Sequence, residues 1–253
     1  MPARSKTLAF GSMLMTALWL TPPALALEEH EKKEMGAFIR EYLLENPEVM
    51  LEVQSALEAK QHAQRLEQAG QAVATNRDAI FNSEHDIALG NPEGDVTVVE
   101  FFDYNCGYCK RALADMEKVL SSDPNVRFVL KELPILGPDS IDAHRVSNAV
   151  RLVAPEKYGD LHRTLLGSTD TATEESAIAV ATSLGISADD IRMSMADSPN
   201  DQLVRDAYAL ATNLGVTGTP TYIVGDEALF GAVGEDALEE KIANIRACGK
   251  STC

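Results

Sequence analysis

The stretch that most constrains the fold runs through residues 96–120, where an apolar segment meets a pair of cysteines. Val96 to Phe102 is a nearly continuous run of β-branched and aromatic residues, typical of a strand buried on both faces. Cys106 and Cys109 follow, and residues 110–120 place apolar side chains at helical spacing. The sequence therefore predicts a strand, a turn that carries both cysteines, and an amphipathic helix.

The position of the cysteines predicts their chemistry. At a helix N-terminus, free backbone N–H groups and the positive end of the helix dipole stabilise an anion such as a thiolate. We therefore expect Cys106 to have a lowered pKa and to be the attacking thiol, and Cys109 to be the resolving thiol. A CxxC pair in this setting is typical of redox chemistry.

Three other roles for the pair fit the sequence less well. A structural zinc site needs four ligands, and the remaining cysteines, Cys248 and Cys253, are far away with the wrong spacing. A c-type haem needs histidine after the second cysteine, where this chain has Lys110. A purely structural disulfide remains open, although the two-residue spacer favours a readily reduced bridge.

At these residues the chain resembles the thioredoxin superfamily and, within it, the DsbA-like thiol oxidoreductases. The shared pattern is an acidic residue in an aromatic strand, six positions before the first cysteine, which is Glu100 here. The resemblance implies that Cys106 and Cys109 form a catalytic redox disulfide, with Gly107 and Tyr108 as supporting residues between them. Glu100 is a candidate proton acceptor for Cys109, and the alternative is a solvent-facing carboxylate.

The first residues have the pattern of a secretory signal peptide. Arg4 and Lys6 precede an apolar stretch from Leu8 to Leu20, and an Ala-Leu-Ala cleavage sequence ends at Ala26. We predict a signal peptide over residues 1–26, cleaved near Ala26, and a periplasmic location in which cysteines can be oxidised. An uncleaved anchor is the alternative. The net charge of −17 argues against nucleic acid as a partner.

Residues 27–80 are predicted to form a helical oligomerisation segment. Apolar residues recur at helical spacing before a break at Asn46-Pro47, and beyond it the apolar stripe is narrow. A long helix of this kind cannot make its own core, so we expect it to pack on copies of itself or on the preceding helix. A solvated linker is the alternative. The segment resembles the N-terminal region of the suppressor-of-copper-sensitivity (ScsC) family, which implies a homo-oligomer.

The remaining pattern predicts an α/β fold, a thioredoxin fold with an inserted all-helical domain and an N-terminal helical stalk. We expect a short strand within residues 80–89 and a strand over residues 126–132, parallel to the central one because crossovers are right-handed. The resemblance divides the rest into a thioredoxin domain, residues 81–137 and 215–253, and an inserted helical domain, residues 138–214.

A role for the segment around Thr219 and Pro220 is implied by the resemblance to DsbA-like proteins. By itself the dipeptide predicts an ordinary turn before a strand. In DsbA-like proteins the matching proline is cis and faces the CxxC pair, which implies that Thr219 and Pro220 bind an extended substrate segment. A hairpin over residues 222–230 and a closing helix over residues 236–246 complete the predicted fold.

Two further groups of residues are candidates for chemistry. Cys248 and Cys253 are predicted to form a local disulfide on a mobile tail; a second exchanging thiol pair or a soft Cu(I) site are alternatives. No histidine shows metal-ligand spacing, so each is expected to be a surface or packing residue. The histidines are His30, His62, His85, His144 and His162.

Together these features predict a thiol:disulfide interchange enzyme that needs no cofactor. We expect it to act on unfolded or misoxidised secreted proteins and to be reset by a membrane thiol oxidoreductase. DsbA-type oxidases carry a histidine between the cysteines, whereas Gly107-Tyr108 here, with Thr219-Pro220, resembles DsbC-type isomerases. We therefore favour an isomerase or reductase over a dithiol oxidase. Alternatives are a Cu(I)-binding tolerance protein that uses the Cys106 and Cys109 thiolates, and a holdase chaperone.

Overall fold

The computed structural model describes residues 28–199 and 201–253. The predicted signal peptide, residues 1–26, lies outside this range. In the described part of the chain, every helix is too short or too polar to cross a membrane. The chain divides into two compact units, and the division falls between Leu57 and Glu58, inside one long helix.

The first unit contains helix α1 (Glu29–Glu45) and the beginning of helix α2 (Glu48–Thr75). The first turn of α1 is closed by the Glu28 N–H, which donates to the Glu31 carboxylate at 2.8 Å. No residue from 28 to 57 is buried. Many apolar side chains of this unit are therefore exposed, namely Met35, Phe38, Ile39, Tyr42, Leu44, Met50, Leu51, Val53 and Leu57.

The second unit is built on a five-stranded mixed sheet with the strand order β1-β3-β2-β4-β5. The strands are β1 (Ile87–Gly90), β2 (Val96–Phe102), β3 (Val126–Glu132), β4 (Thr221–Val224) and β5 (Glu227–Phe230). β2 and β3 are parallel, as predicted, with Val96 opposite Val126, and the other neighbours are antiparallel. The predicted hairpin is formed by β4 and β5.

Eight more helices surround or extend this sheet in the described residues. They are α3 (Arg77–Phe81), α4 (Gly107–Ser122), α5 (Pro138–Val153), α6 (Tyr158–Gly167), α7 (Glu174–Ser183), α8 (Ala188–Asp197), α9 (Asp201–Asn213) and α10 (Glu235–Cys248). A short 3-10 turn, Pro155–Lys157, precedes α6. The helical pattern predicted between β3 and β4 is thus confirmed.

The central strand is buried on both faces because each face has its own core. Val98 and Phe102 belong to the core that the sheet shares with α4, α10 and helices α5 to α8. Val99 and Phe101 point to the opposite face and belong to a second core. Since successive strand residues alternate between faces, the unbroken apolar run of β2 is what such a two-sided sheet requires.

The second core corrects three sequence predictions. Its helical residues come from the end of α2, from α3 and from α9, and they include Ala69, Val73, Ile80, Phe81, Leu210 and Ala211. The predicted boundary at residue 80 is therefore wrong, since residues 58–80 belong to the same compact unit as the sheet. The predicted insertion to residue 214 is too long, because α9 covers the sheet. The expected strand within residues 80–89 begins only at Ile87, because Ile80 and Phe81 are helical.

The role of the α2–α3 segment in the second core can be measured by truncating a side chain. Ile80 has no exposed surface, so Ile80→Ala should lower the free energy of unfolding by about 2–5 kcal/mol in urea titrations. Leu152 on α5 is 45% exposed, so the matched control Leu152→Ala should cost less than about 1 kcal/mol. Equal effects of the two substitutions would contradict the assignment of Ile80 to the core.

Candidate active site

The two cysteines lie at the junction between β2 and α4. Cys106 is the N-cap residue of α4, and its Sγ accepts a hydrogen bond from the Cys109 N–H at 3.4 Å. Both are free thiols; Cys106 is 6% exposed and Cys109 is fully buried. Gly107 and Tyr108 begin the helix between them, and the Tyr108 side chain is 61% exposed. Cys106 is thus the more accessible of two buried thiols.

The loop before β4 reaches the same sulfur from the other side. The Thr219–Pro220 peptide bond is cis, as the resemblance implies. The Cys106 thiol donates to the Thr219 carbonyl oxygen at 3.1 Å. Thr219, which is 113 residues away in sequence, is therefore in direct contact with the thiol that we expect to react.

Hydrogen bonds make Cys106 an acidic thiol. A hydrogen bond from the Cys109 thiol is the largest cause, and it is joined by Thr219 and by the backbone N–H groups of Cys109 and Tyr108. Together they outweigh desolvation and lower the pKa of Cys106 to about 5. The same thiol–thiol hydrogen bond, together with burial and the nearby carboxylate of Glu100, raises the pKa of Cys109 far above its usual range. The two thiols are thus strongly inequivalent.

Glu100 lies beneath this pair in β2. Glu100 is 2% exposed, which excludes the alternative of a solvent-facing carboxylate. Its Oε1 atom has no hydrogen-bond partner among the described residues. Burial, followed by the charges of Cys106 and Asp115, raises the pKa of Glu100 to about 8. A carboxyl group with this pKa can both accept and release a proton near neutral pH.

A buried polar cluster behind the active-site loop was not predicted from the sequence. The Tyr104 N–H donates to His144 Nε2 at 3.4 Å, and His144 Nδ1 lies 3.0 Å from Glu132 Oε2. Hydroxyl groups of Ser147 and Tyr158 donate to Glu132 Oε1. Burial by itself would raise the pKa of Glu132, but His144 and these donors lower it. No sequence spacing signals this cluster, because its members come from the loop after β2, from β3, from α5 and from α6.

The other predicted chemical groups have clear positions. His162 is a packing residue, as expected: it stacks edge-on against Phe102 with ring centroids 4.7 Å apart, and burial lowers its pKa to about 3. In the described part of the chain, no three His, Cys, Asp or Glu side chains are grouped as a metal site. The two thiols of Cys106 and Cys109 are adjacent, and Cu(I) binding by them stays a prediction.

Cys248 and Cys253 form a disulfide at the end of α10. The expectation of a mobile tail is wrong, because Ser251 between them is buried. The Ser251 N–H donates to Asp226 at 2.9 Å, and Asn244 donates to the Ser251 carbonyl oxygen at 2.9 Å. Asp226 lies in the β4–β5 turn, at the opposite end of β4 from Pro220. The disulfide is thus remote from Cys106.

Residues 97–243, more than half of the chain, match the DSBA-like thioredoxin domain. The chain belongs to the DsbA-like thioredoxin domain family. Residues 31–64 match the N-terminal domain of the copper resistance protein ScsC. This DsbA-like chain therefore combines a thiol–disulfide oxidoreductase domain with an ScsC-type N-terminal region, and the α/β thioredoxin fold predicted from the sequence is confirmed.

Solved structures of similar proteins agree with this assignment. A thioredoxin-like oxidoreductase from Silicibacter pomeroyi DSS-3 is 40% identical, covers 68% of this chain and 99% of its own, and superposes with a TM-score of 0.65. The thiol-disulfide exchange protein alpha-DsbA2 from Wolbachia pipientis is 29% identical over 72% and 98% of the two chains, with a TM-score of 0.67. Proteus mirabilis ScsC in a compact conformation is 29% identical over 86% and 98%, with a TM-score of 0.61.

Curated sequences add a relative of different length. A protein named Na(+)/H(+) antiporter NhaA 1 from Salinispora arenicola is 27% identical over 167 residues. The match covers 64% of this chain but 25% of that protein, so the chain spans about a quarter of the length of the curated relatives it matches.

The thiol asymmetry can be tested by alkylation of the reduced protein. The rate of iodoacetamide modification at Cys106 should follow a thiolate pKa of about 5, so it should fall as pH drops below that value. Cys109→Ala removes the largest stabilising hydrogen bond and should move the midpoint up toward the ordinary thiol value of about 8.5. A wild-type midpoint already near that value would contradict the proposed electrostatics.

The buried Glu100 should destabilise the fold where it is ionised. Its pKa is about 8 when folded and about 4.3 when unfolded, so the cost is absent below pH 4 and grows until pH 8. Glu100→Gln should therefore raise the free energy of unfolding by a few kcal/mol at pH 8, since one pKa unit corresponds to about 1.4 kcal/mol. Urea titrations of the oxidised protein at pH 4, 6 and 8 measure the part of this cost that comes from burial, because the disulfide removes the charge of Cys106. The exposed control Glu240→Gln should show no such pH dependence.

Proposed function

We propose that this chain is a periplasmic thiol:disulfide interchange protein that reduces and isomerises disulfides in unfolded or misoxidised secreted proteins. The inequivalence of the two thiols is the observation that carries the proposal. With the pKa of Cys106 at about 5 and that of Cys109 raised far above its usual range, only Cys106 is a thiolate at neutral pH. Attack on a substrate disulfide therefore begins at Cys106.

The exchange proceeds through a mixed disulfide. The Cys106 thiolate attacks one sulfur of a substrate disulfide, a Cys106–substrate bond forms, and the second substrate sulfur leaves as a thiolate. In isomerisation, a different thiolate of the substrate attacks the substrate sulfur of the mixed disulfide, which forms a new disulfide pairing and restores the Cys106 thiolate. In reduction, Cys109 attacks Cys106, so the pair becomes a disulfide and the substrate leaves with two thiols.

Glu100 supplies the proton acceptor for the second route. Cys109 must lose its proton before it can attack, and its raised pKa means that solvent hydroxide alone is a poor base for this step. Glu100 is buried on the α4 side of β2, and its charge is among the causes that raise the pKa of Cys109. Because the pKa of Glu100 is about 8, its ionised fraction near neutral pH accepts the proton from Cys109, and the proton is released to solvent as the pH approaches that value.

The direction of exchange follows from how well the thiolate is stabilised. A strongly oxidising DsbA thiol has a pKa of about 3.5 and a reducing thioredoxin thiol one of about 7. Cys106, at about 5, lies between them. Tyr108 stands where the strong oxidases have a histidine that can stabilise the thiolate. This intermediate acidity favours a disulfide that is less oxidising than that of a dithiol oxidase, as isomerisation requires.

The N-terminal segment would assemble the proposed isomerase into an oligomer. Residues 28–57 have no buried residue and carry an exposed apolar stripe that includes Phe38, Ile39 and Leu57. Burial of this stripe against copies of itself would bring several active sites to one misfolded substrate. A membrane thiol oxidoreductase would then return the Cys106–Cys109 pair to its reduced state after each net reduction.

Copper tolerance is a second candidate function. Residues 31–64 match a domain named for a copper resistance protein, and two adjacent thiols suit coordination of soft Cu(I). In this case the chain would bind the metal through Cys106 and Cys109 and protect other thiols from it. Activity in copper-free buffer separates this candidate from an isomerase.

Refolding of a scrambled multi-disulfide protein in copper-free buffer tests the proposal. The full mature chain should restore native activity to the substrate, and Cys106→Ala should abolish this because no thiolate remains to attack. A chain that lacks residues 28–57 should still exchange thiols but lose most of its isomerase rate. The deletion stops at residue 57 because residue 58 begins the compact unit that contains the sheet, and residues from Ala69 to Phe81 contribute to the second core.

The other outcomes identify the alternatives. If the full and shortened chains merely oxidise dithiols at similar rates, the protein is a DsbA-like oxidase. If the wild type is inactive without copper but binds one Cu(I) through its thiols, it is a copper carrier. If refolding is improved equally by Cys106→Ala, the effect is that of a holdase chaperone.

A further inference from the structure

Asp103 is a fully buried carboxylate that the exchange mechanism does not use. It follows the last residue of β2, and it has no exposed surface. Its Oδ1 accepts hydrogen bonds from the Asn105 N–H and the Ser140 hydroxyl, both at 2.8 Å. Its Oδ2 accepts from the backbone N–H groups of Ile135 at 2.8 Å and Leu136 at 3.0 Å. The carboxylate therefore has a donor at each of its acceptor positions.

Asn105 extends this arrangement toward the helices beyond β3. Its side-chain N–H groups donate to the Ser140 hydroxyl at 3.1 Å and to the Ala172 carbonyl oxygen at 2.9 Å. Its side-chain oxygen accepts from the Ala172 N–H at 2.7 Å. The amide thus pairs with the backbone of Ala172 in both directions, which holds the segment between α6 and α7 against the active-site loop.

These contacts connect three parts of the site. The Cys106 N–H donates to the Asp103 carbonyl oxygen at 3.0 Å, so Asp103 also holds the backbone of the reactive cysteine. Leu136, whose N–H is bound by the Asp103 carboxylate, is 54% exposed. Ile141, one residue after Ser140, is 39% exposed. Asp103 therefore lies between the reactive sulfur and apolar side chains on the adjoining surface.

We propose that Asp103 and Asn105 are positioning residues that set the geometry of the Cys106 thiolate and of the Leu136 loop together. The inference rests on the proposed function, because it assigns these residues to thiol exchange on a polypeptide substrate. Through the Cys106 backbone they keep the sulfur at the N-terminus of α4, where the donors that lower its pKa are found. Through Ile135, Leu136 and Ser140 they fix the loop that a bound polypeptide meets beside the sulfur.

The choice of side chain supports this role. All four groups that point at Asp103 are donors, and only an ionised carboxylate offers enough acceptor positions without adding a donor of its own. An asparagine of the same shape would direct an N–H₂ group at two other donors and leave buried groups unsatisfied, which costs free energy. Asp103→Asn is therefore a nearly isosteric probe of the clamp formed by Asp103 and Asn105.

Two kinetic measurements test the proposal on the full mature chain. The first is the pH profile of Cys106 alkylation, and the second is the reduction of two substrates, a peptide with one disulfide and the small disulfide 5,5′-dithiobis(2-nitrobenzoate). Asp103→Asn should raise the alkylation midpoint by at least about half a pH unit, because the thiolate loses part of its aligned donors. It should also raise KM for the peptide about tenfold, whereas KM for the small disulfide should change by less than about twofold, because that substrate does not meet the Leu136 loop.

Matched variants separate positioning from general destabilisation. Asp139→Asn removes an exposed charge from the residue beside Ser140 and should leave both measurements unchanged. Ser140→Ala removes one of the four donors without altering Asp103, and it should change both measurements in the same direction by a smaller amount. If Asp103→Asn does not fold, Ser140→Ala tests whether Asp103 positions the Cys106 thiolate and the Leu136 loop.

The result that overturns the proposal is specific. If a folded Asp103→Asn or Ser140→Ala protein unfolds more easily but keeps the wild-type alkylation midpoint and peptide KM, Asp103 is only a structural residue. If Asp103→Asn raises KM for both disulfides equally, the link to the Leu136 loop is wrong. Failure of the proposed function looks different, because then the wild type itself does not exchange thiols with the peptide.

Discussion

The negative charge on the Cys106 sulfur must be stabilised, and most of the structure around it serves that purpose. A thiolate is stable at the N-terminus of α4 because its donors are held in place before the charge forms: the Cys109 thiol and the backbone N–H groups of Tyr108 and Cys109. Holding them requires that β2 ends at one fixed point and that α4 begins there. The two-sided burial of β2 provides this, since residues on both faces of the strand are locked into separate cores.

The interior around this sulfur contains three carboxylates, and each has a different environment. Glu132 is bound by Ser147 and Tyr158 and lies beside His144, so it is held as an anion. Asp103 has a donor at every acceptor position. Glu100 has an unpartnered oxygen, and its pKa is raised to about 8. Hydrogen-bond donors thus anchor Asp103 and Glu132, whereas burial raises the pKa of Glu100 beneath the cysteine pair, where a proton has to move.

Local pattern was enough to predict the centre of the molecule. β2 and β3 have the bounds expected from their apolar runs, and the cysteines fall at the predicted turn, because a strand followed by an amphipathic helix is a local signal. The surface against which α9 and the end of α2 pack was not predictable in this way. Their apolar faces are ordinary helical stripes, and periodicity shows that a face is buried without showing which surface covers it. The roles of Asp103 and His144 were missed because most of their partners are distant in sequence, such as Ile135 at 32 residues from Asp103 and Tyr104 at 40 residues from His144, where spacing carries no information.

The N-terminus of a helix stabilises a thiolate and the C-terminus destabilises one, and this chain has a cysteine at an end of each kind. Cys106 begins α4, where the helix dipole favours negative charge on sulfur, and Cys248 is the last residue of α10, where the unpaired carbonyl groups disfavour it. A thiolate is therefore a good leaving group at the first position and a poor one at the second. The protein can thus carry an exposed second bridge, remote from Cys106, with little risk of self-scrambling, since the same backbone physics that activates one pair protects the other.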